Sequence, residues 1–278
     1  MSSTRSRSRA GPATDRAGGG EAGDPLPEWR EAGLLLVGLG AGRDPRAAAT
    51  VRAHAREIDR RGLFAAVGEA FLKRPPSPAE ALRATTAPTV YVVPCLIGDS
   101  DLARSRVPAA LGLDGRAASA DGRSIRYCEP IGASRRLAGV IRDRALAFCR
   151  QRGLDPARVT LLAVGHGTPR DPDSAATARR HVATLRTDGS FAEVLAAFLE
   201  EPPAVGEQVA RARAADVVAV GLFVGEGAHG TEDVPALLDA APRRPGARTF
   251  YAGPIGADPG IVEVILAQVR AAGPGRAG

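Results

Sequence analysis

The amino-acid sequence contains two copies of one pattern. Residues Leu35–Pro45 (LLVGLGAGRDP) match residues Leu162–Pro172 (LAVGHGTPRDP) at an offset of 127 positions. The same offset aligns two further pairs of segments, 64–72 with 191–199 and 90–108 with 217–235, and it falls to 124 only near the end of each copy. A single register kept through three segments indicates a tandem duplication, so both copies are expected to form the same structural unit.

The duplication sets the expected domain boundaries. We expect a first repeat over residues 31–156 and a second repeat over residues 157–278, preceded by a tail of residues 1–30 that is rich in arginine and glycine. The tail has no apolar periodicity up to about Asp24 and cannot bury enough surface to offset the entropy of ordering, which predicts disorder. It lacks the apolar stretch of a secretory signal. Its few arginines have no aromatic partners for stacking on bases, so we expect no nucleic-acid partner.

Each repeat alternates short apolar runs with helical stretches. The apolar runs have the length of buried strands, and we predict four in each repeat: 34–38, 66–72, 90–95 and 125–128, then 159–165, 193–199, 216–223 and 248–251. Strands that alternate with helices form parallel sheets with helices on both faces. The sequence therefore predicts an α/β fold with two four-stranded parallel sheets, in which ligands bind beyond the carboxyl ends of the strands.

Composition argues against several classes of protein. Apolar residues make up 44% of the chain, enough for a sizeable core. No apolar run approaches the roughly 18 residues that would span a bilayer, so we expect no membrane partner. The three cysteines, Cys95, Cys128 and Cys149, are odd in number and lack CxxC spacing. They argue against a disulfide framework or a cysteine zinc site and favour a cytoplasmic location.

The four histidines fall into two pairs. His54 and His181 are equivalent in the two repeats and lie in predicted helices, so we assign them a structural role. His166 and His229 follow the first and third strands of the second repeat in glycine-rich loops, which adjacent parallel strands would bring to one edge of the sheet. Two imidazoles at such an edge suit a divalent transition metal such as Co, Fe, Ni or Zn. Two unrelated loop histidines are the alternative interpretation.

The first repeat lacks the second pair of histidines. Leu39 stands where the second repeat has His166, and Leu102 stands where it has His229. Joint presence in one copy and joint absence from the other is the pattern expected of two side chains that share one site. One working site is sufficient if the cleft lies between the repeats.

A carboxylate would complete a metal site at these loops. Glu200 follows the second strand of the second repeat and is replaced by Lys73 in the first repeat, which makes Glu200 our first choice as a third ligand or acid–base group. Glu201 and Glu226 are further acids in the same loops. A solvated acid at a strand end is the alternative interpretation of each.

One glycine-rich turn of the first repeat does not fit a nucleotide site. Residues 38–42 (GLGAG) resemble a phosphate-binding turn, but Arg43 occupies the position of the third glycine in the GxGxxG pattern. We therefore expect no nucleotide cofactor.

Three motifs of the second repeat carry a family resemblance. They are VGHGTPRDP at residues 164–172, the strand end Phe198-Leu199-Glu200, and GAHGTEDVP at residues 227–235. These motifs resemble the CbiX/SirB-type sirohydrochlorin chelatases, a class II tetrapyrrole chelatase family. The resemblance implies two flavodoxin-like domains that face a cleft. It also implies insertion of Co²⁺ or Fe²⁺ into sirohydrochlorin or a related tetrapyrrole, for cobalamin or siroheme biosynthesis, with the metal as substrate.

The same resemblance implies roles for individual residues. The matching positions imply that His166 and His229 bind the metal and accept pyrrole protons, and that Glu200 joins them. An imidazole has an ordinary pKa of about 6.5 and can accept protons near neutral pH.

The first repeat departs from the family pattern, because longer family members often carry the histidines in their first half. Its loop at residues 98–106 (GDSDLARSR) is polar and basic instead. Arginine side chains pair with carboxylates through two parallel hydrogen bonds, and sirohydrochlorin carries many carboxylates. Arg43, Arg104, Arg106 and Arg170 are therefore candidates for binding the substrate carboxylates, with ordinary surface charge as the alternative for each.

Two other functions are open at this stage. A non-catalytic metal or tetrapyrrole carrier descended from the chelatases would keep the same motifs, whereas a structural or regulatory protein would bind no metal. The duplication favours a chain that builds the whole cleft by itself, as a monomer or as each subunit of a homodimer.

Overall fold

The computed structural model of the chain describes residues 26–40, 46–98, 101–113, 117–120, 122–169, 173–225 and 227–273. Most of the tail that we expected to be disordered lies outside these ranges. Among the candidate site residues, Arg43, Arg170 and Glu226 also lie outside them.

The first repeat forms a five-stranded sheet in the order β2-β1-β3-β5-β4. Its strands are β1 (Ala32–Gly38), β2 (Ala66–Phe71), β3 (Thr89–Pro94), β4 (Ala117–Ala120) and β5 (Arg123–Tyr127). The four predicted strands run parallel, and β4 adds an antiparallel strand at the edge beside β5. The sequence does not predict this fifth strand, which lies where the repeat offset falls from 127 to 124.

The second repeat forms a four-stranded parallel sheet in the order β7-β6-β8-β9. Its strands are β6 (Val159–Gly165), β7 (Glu193–Phe198), β8 (Asp216–Gly221) and β9 (Arg248–Pro254). Every residue of β6 is buried, as expected for a parallel strand that is covered on both faces. The predicted α/β class with parallel sheets in both repeats is confirmed.

Eight α-helices within the described ranges flank the two sheets. They are α1 (Arg46–Arg60), α2 (Pro78–Ala84), α3 (Val107–Leu111), α4 (Arg136–Arg152), α5 (Asp173–Asp188), α6 (Val205–Arg211), α7 (Val234–Ala240) and α8 (Gly260–Ala272). Single π-helical turns, Leu102–Arg106 and His229–Asp233, precede α3 and α7. Short 3-10 helices cover Pro27–Glu31, Ile131–Ala133, Pro156–Arg158 and Ile255–Ala257. No helix in the described part of the chain is long and apolar enough to cross a membrane.

The last helix of each repeat packs on the sheet of the other repeat. Helix α4 packs against β8, β9 and α5, while α8 packs against β3 and α1. One apolar core therefore runs through both repeats and includes Leu36, Ile141, Val220 and Ile265. Two smaller cores lie on the outer faces of the sheets, under α2 and α3 in the first repeat and under α6 and α7 in the second. Because the last helix of each repeat covers the sheet of the other, each repeat contributes to the core of the other.

The two structural histidines link the repeats, as their assigned role predicts. His54 of α1 donates a hydrogen bond from Nε2 to the Gly256 carbonyl at 2.7 Å, and His181 of α5 donates one to the Gly132 carbonyl at 2.8 Å. Both imidazoles are buried, and this burial lowers the pKa of each. Two equivalent contacts thus join the repeats in a pseudo-symmetric manner.

The first repeat begins before the boundary that we expected at residue 31. Trp29 lies in the 3-10 helix Pro27–Glu31, is fully buried, and stacks on Phe64 with ring centroids 5.0 Å apart. A buried indole removes a large apolar area from water and so fixes the segment around it. The end of the expected tail is therefore part of the core.

Candidate metal centre

Three adjacent strands of the second sheet deliver the predicted site residues. His166 follows β6, Glu200 comes soon after β7, and the turn that contains His229 comes after β8. Strand β6 lies between β7 and β8. Because the strands are parallel, all three loops emerge at the carboxyl edge of the sheet, where ligands bind in folds of this class.

The structure brings the two imidazoles together. The ring centroids of His166 and His229 lie 5.0 Å apart, and the ring planes are inclined by 84°. The two side chains are 40% and 53% exposed, so solutes reach both rings. Phe223 flanks this pair, with its ring centroid 6.3 Å from that of His229.

Each imidazole is held through its Nδ1 atom. The Nδ1 atom of His166 lies 2.9 Å from the Gly167 carbonyl oxygen, and that of His229 lies 2.7 Å from the Asp233 Oδ2 atom. Carbonyl and carboxylate oxygens only accept hydrogen bonds, so Nδ1 carries the proton in each ring. The neutral rings then present Nε2 lone pairs, the form in which histidine binds metal.

Glu200 lies beside this pair. Its Oε1 atom is 3.7 Å from the His166 Nε2 atom, and its backbone N–H donates to the His166 carbonyl at 3.1 Å. Glu201 is engaged elsewhere, because its mostly buried carboxylate accepts a hydrogen bond from Arg179 at 3.0 Å. The structure therefore brings Glu200, our first choice among the acids, to His166.

A glycine makes the turn after His166 possible. Gly167 has φ of +60°, a left-handed conformation that side chains other than glycine rarely adopt. A Cβ atom at this position would lie 2.6 Å from the Glu201 Cγ atom and 2.8 Å from the Phe198 Cβ atom. Both the conformation and the close packing require glycine, which fixes the direction in which the loop leaves β6.

The candidate site offers a metal ion few protein ligands within the described residues. Within the described ranges, no group of three histidine, cysteine or acidic side chains is spaced to hold a metal ion together. Cys95 lines the same cleft, but burial raises the pKa of its thiol to about 12, so it stays protonated near neutral pH. The two imidazoles are thus the candidate nitrogen donors of the site, and Glu200 lies next to one of them.

An apolar cleft opens in front of the histidines. It has a volume of about 230 Å³, somewhat below the range of roughly 300–1,000 Å³ that is typical of small-molecule sites, and it is open to solvent. Gly38 and Leu39 line it from the first repeat, and His166, Phe223 and His229 line it from the second. The site therefore lies between the repeats, with mainly apolar walls and two imidazoles on one side.

The matching positions of the first repeat carry other chemistry. Leu39 and Leu102 are partly buried and pack against the outer core of the first sheet. Lys73 is exposed, and its backbone N–H donates to the Leu39 carbonyl at 3.0 Å, as Glu200 does to His166. The backbone of the site is thus present in both repeats, whereas the donor side chains are present in the second.

The predicted carboxylate-binding arginines are found in part within the described ranges. Arg104 and Arg106 are exposed in the π-helical turn Leu102–Arg106, which matches the turn that carries His229. Arg43 and Arg170 lie outside the described residues.

One contact within the candidate site is absent from our sequence predictions. Asp233 accepts the hydrogen bond from His229. The four-residue spacing from His229 to Asp233 places the two side chains on one face of a helical turn and would have pointed to this pair.

Comparison with known proteins identifies the family. The CbiX family model matches the chain twice, over residues 33–147 and over residues 160–272. The chain belongs to the CbiX family. The two matches fall one in each repeat, so the CbiX pattern covers the duplicated part of the chain.

One curated relative matches most of the chain. It is a probable sirohydrochlorin cobaltochelatase of Halobacterium salinarum, 30% identical over 267 residues, which cover 86% of this chain and 91% of the relative.

Two solved structures resemble this CbiX-family chain. DR2241 of Deinococcus radiodurans, a multi-domain protein described as structurally similar to chelatases, has a TM-score of 0.76 and 28% identity. The match covers 85% of this chain and 54% of DR2241, so the chain spans about half of that protein. CbiX, the terminal enzyme for biosynthesis of siroheme in denitrifying bacteria, has a TM-score of 0.66 and 25% identity, with 86% of this chain and 98% of CbiX covered.

Proposed function

We propose that the chain is a sirohydrochlorin chelatase that inserts Co²⁺ or Fe²⁺ into sirohydrochlorin or a related tetrapyrrole without using a nucleotide. The observation that carries the proposal is the pair of imidazoles, His166 and His229, whose Nδ1 atoms each face an oxygen acceptor and whose rings lie together at the wall of an apolar cleft. Membership of the CbiX family supports the same reaction.

The donor atoms fit the proposed metals. Imidazole nitrogens suit Co²⁺ and Fe²⁺, and two protein donors leave room for the nitrogens of an incoming macrocycle. Cobalt is named in the description of the Halobacterium salinarum relative, and siroheme, which the similar CbiX enzyme helps to make, is an iron tetrapyrrole. A site with few protein ligands also suits a metal that must be released to the product.

The reaction exchanges one divalent metal ion for two pyrrole N–H protons. In the proposed mechanism, His166 and His229 hold the metal at one face of the macrocycle while the apolar walls of the cleft hold its ring. As the metal passes to the pyrrole nitrogens, each released Nε2 atom accepts one of the two protons, and the Glu200 carboxylate beside His166 relays a proton from that ring to solvent. All three side chains are about half-exposed, so the protons pass on to solvent.

The first repeat supplies the opposite wall of the cleft in this proposal. Arg104 and Arg106, with Arg43 and Arg170 as further candidates, would pair with the carboxylates of the substrate. One chain contributes both walls, which favours a monomer that is active alone or within a homodimer. A cytoplasmic location stays a prediction.

The decisive experiment follows the absorbance of the macrocycle. Purified protein is mixed with excess sirohydrochlorin and, separately, with Co²⁺, Fe²⁺ or Ni²⁺ in the absence of nucleotide, and the rates are compared with those of protein-free mixtures. We expect many turnovers per chain with Co²⁺ or Fe²⁺. Binding without turnover would favour the carrier, and neither binding nor metallation would contradict the proposed function.

A further inference from the structure

We propose that Asp233 is a positioning residue, which fixes the tautomer and orientation of His229 and so prepares its Nε2 atom for the metal. The inference rests on the proposed function, because it assumes that His229 is a metal ligand. Asp233 does not touch the metal or the substrate in this scheme and acts only through the imidazole.

The geometry of the turn supports this role. His229 and Asp233 are the first and last residues of one π-helical turn, and the Nδ1 and Oδ2 atoms lie 2.7 Å apart. A carboxylate can only accept at this distance, so the proton of the neutral ring resides on Nδ1 and Nε2 keeps its lone pair. A carboxylate behind a histidine ligand also makes the imidazole a stronger donor to a metal.

The two histidines obtain the same tautomer by different means. The Nδ1–H group of His166 donates to a backbone carbonyl, that of Gly167, whereas the Nδ1–H group of His229 donates to a side chain. His166 therefore keeps its acceptor in any sequence that preserves the loop. His229 depends on the residue at position 233.

The first repeat separates this role from a role in folding. Its matching turn, Leu102–Arg106, has the same π-helical form although Arg106 stands at the position of Asp233. The turn therefore forms without an acid at its last position. Asp233 is present in the repeat that keeps His229 and absent from the repeat that has Leu102 in its place, as expected if the acid serves the imidazole.

The exposure of the pair also argues against a mainly structural role. The side chains of His229 and Asp233 are 53% and 48% exposed. Ion pairs that are exposed to this extent contribute little to stability, because solvent screens them. Removing the carboxylate should leave the fold intact and change the chemistry of the ring.

The test compares Asp233→Asn with the unaltered protein. The amide replaces the charged acceptor of the Nδ1–H group by a weaker, neutral one and can also donate to Nδ1, so the tautomer with the proton on Nε2, which cannot bind metal through that atom, gains population. Ring ¹⁵N chemical shifts of His229 should move from the Nδ1–H tautomer toward the Nε2–H tautomer. Calorimetric Co²⁺ affinity should fall by about 10–100-fold, the usual effect of losing a partner behind a ligand.

Two further variants make the result specific. Asp239→Asn removes the same charge from an exposed position of α7 and should leave both the His229 shifts and the Co²⁺ affinity unchanged. Asp233→Glu restores a carboxylate acceptor and should recover most of the affinity and the Nδ1–H tautomer. Circular dichroism and thermal melting of each variant check that the fold is kept.

The outcomes distinguish this inference from the proposed function. If Asp233→Asn keeps the Nδ1–H tautomer and binds Co²⁺ as tightly as the unaltered protein, Asp233 is not a positioning residue, whatever the chelatase assay shows. If the unaltered protein never metallates sirohydrochlorin while Asp233→Asn changes both the tautomer and Co²⁺ affinity, the positioning role stands and the proposed reaction fails.

Discussion

The two repeats share a backbone and differ at the carboxyl ends of their strands. Four positions change together between the second repeat and the first: His166 to Leu39, His229 to Leu102, Glu200 to Lys73 and Asp233 to Arg106. The buried histidines His54 and His181 are the same in both. The comparison shows that the scaffold is shared by the two repeats, while the candidate metal centre differs between them at all four of these positions.

The four matching positions of the first repeat carry apolar or basic side chains of their own. Leu39 and Leu102 pack against the outer core of the first sheet, and the two acids have become bases. The first repeat therefore lines the cleft with apolar residues such as Leu39 and carries basic side chains in the two loops where the second repeat has acids. The proposed function requires this difference in charge, with metal donors in one repeat and bases for the substrate carboxylates in the other.

The largest expected effect comes from removing either imidazole. His166→Ala or His229→Ala should lower the rate of metallation by about 10³-fold or more, since each removes one of two paired donors and a proton acceptor. Both side chains are substantially exposed, so the melting temperature should change little. Absorbance kinetics and thermal melting measure the two effects on the same samples.

The matched control is the first-repeat counterpart of His229. Leu102→Ala removes apolar packing and should lower the free energy of unfolding by about 2 kcal/mol, the low end for leucine because the side chain is partly exposed. The metallation rate of the folded fraction should not change. Retained metallation activity in either histidine variant would contradict the assignment of the metal centre to the second repeat.

Glu200 is expected to have the next largest effect. Glu200→Gln should slow metallation by about 10–100-fold through loss of a proton acceptor beside His166. Glu201→Gln is the matched control, because that carboxylate pairs with Arg179 instead. The control should lower the melting temperature and spare the rate. Equal loss of rate in both variants would show that the two acids act only through the shape of the loop.

Much of the fold could be predicted from the apolar runs and the repeat. The observed strand β6 coincides with the predicted run 159–165, and the other predicted strands lie within a few residues of the observed ones. The edge strand β4 has the sequence Ala-Ala-Ser-Ala, which lacks the β-branched and aromatic residues that mark a strand. Its pairing depends on the free edge of β5, which is a tertiary feature.

The candidate site could be predicted from the sequence to the extent that one repeat could be compared with the other. That comparison singles out His166, His229 and Glu200, because their counterparts differ in chemistry. It does not reveal which atom of each ring is free, since this depends on the distances to Gly167 and Asp233. The packing of α4 and α8 on the sheet of the other repeat could not be predicted either, because an amphipathic pattern does not specify which sheet the helix covers.

The shared histidines should affect stability equally in the two repeats. His54→Ala and His181→Ala each leave a buried carbonyl without its donor, which should cost about 1–3 kcal/mol of unfolding free energy. Unequal losses would show that the inter-repeat contacts are not equivalent. Urea unfolding at neutral pH measures both variants.

The same pair should make the unaltered protein sensitive to acid. Burial lowers the pKa of both imidazoles, so below about pH 6.5 the unfolded chain binds protons that the folded chain resists binding. Stability from these groups is therefore fully present above that pH and is lost as the pH falls through the lowered values. Each alanine variant should show a shallower decline in melting temperature between neutral and mildly acidic pH than the unaltered protein.

The smallest expected effect tests the change from acidic side chains in the second repeat to basic side chains in the first. Arg106→Glu should raise the KM for sirohydrochlorin several-fold with little change in kcat, because a positioned arginine binds substrate carboxylates without taking part in proton transfer. Lys73→Glu restores the acid of the second repeat and should act in the same direction. Added salt should weaken substrate binding to the unaltered protein more than to either variant, since screening acts on the attraction that the variants have lost.

Arg150→Glu is the matched control for this reversal. Arg150 is exposed in the last turn of α4, which leads into the amino-terminal end of β6, so it lies at the edge of the sheet opposite the cleft. The same change of net charge at that edge should leave KM unchanged. An equal rise in KM for Arg150→Glu would mean that the overall charge of the protein attracts the substrate. A rise confined to Arg106 and Lys73 would mean that the first repeat, having lost its metal donors, has kept its share of the site as the wall that binds the substrate carboxylates.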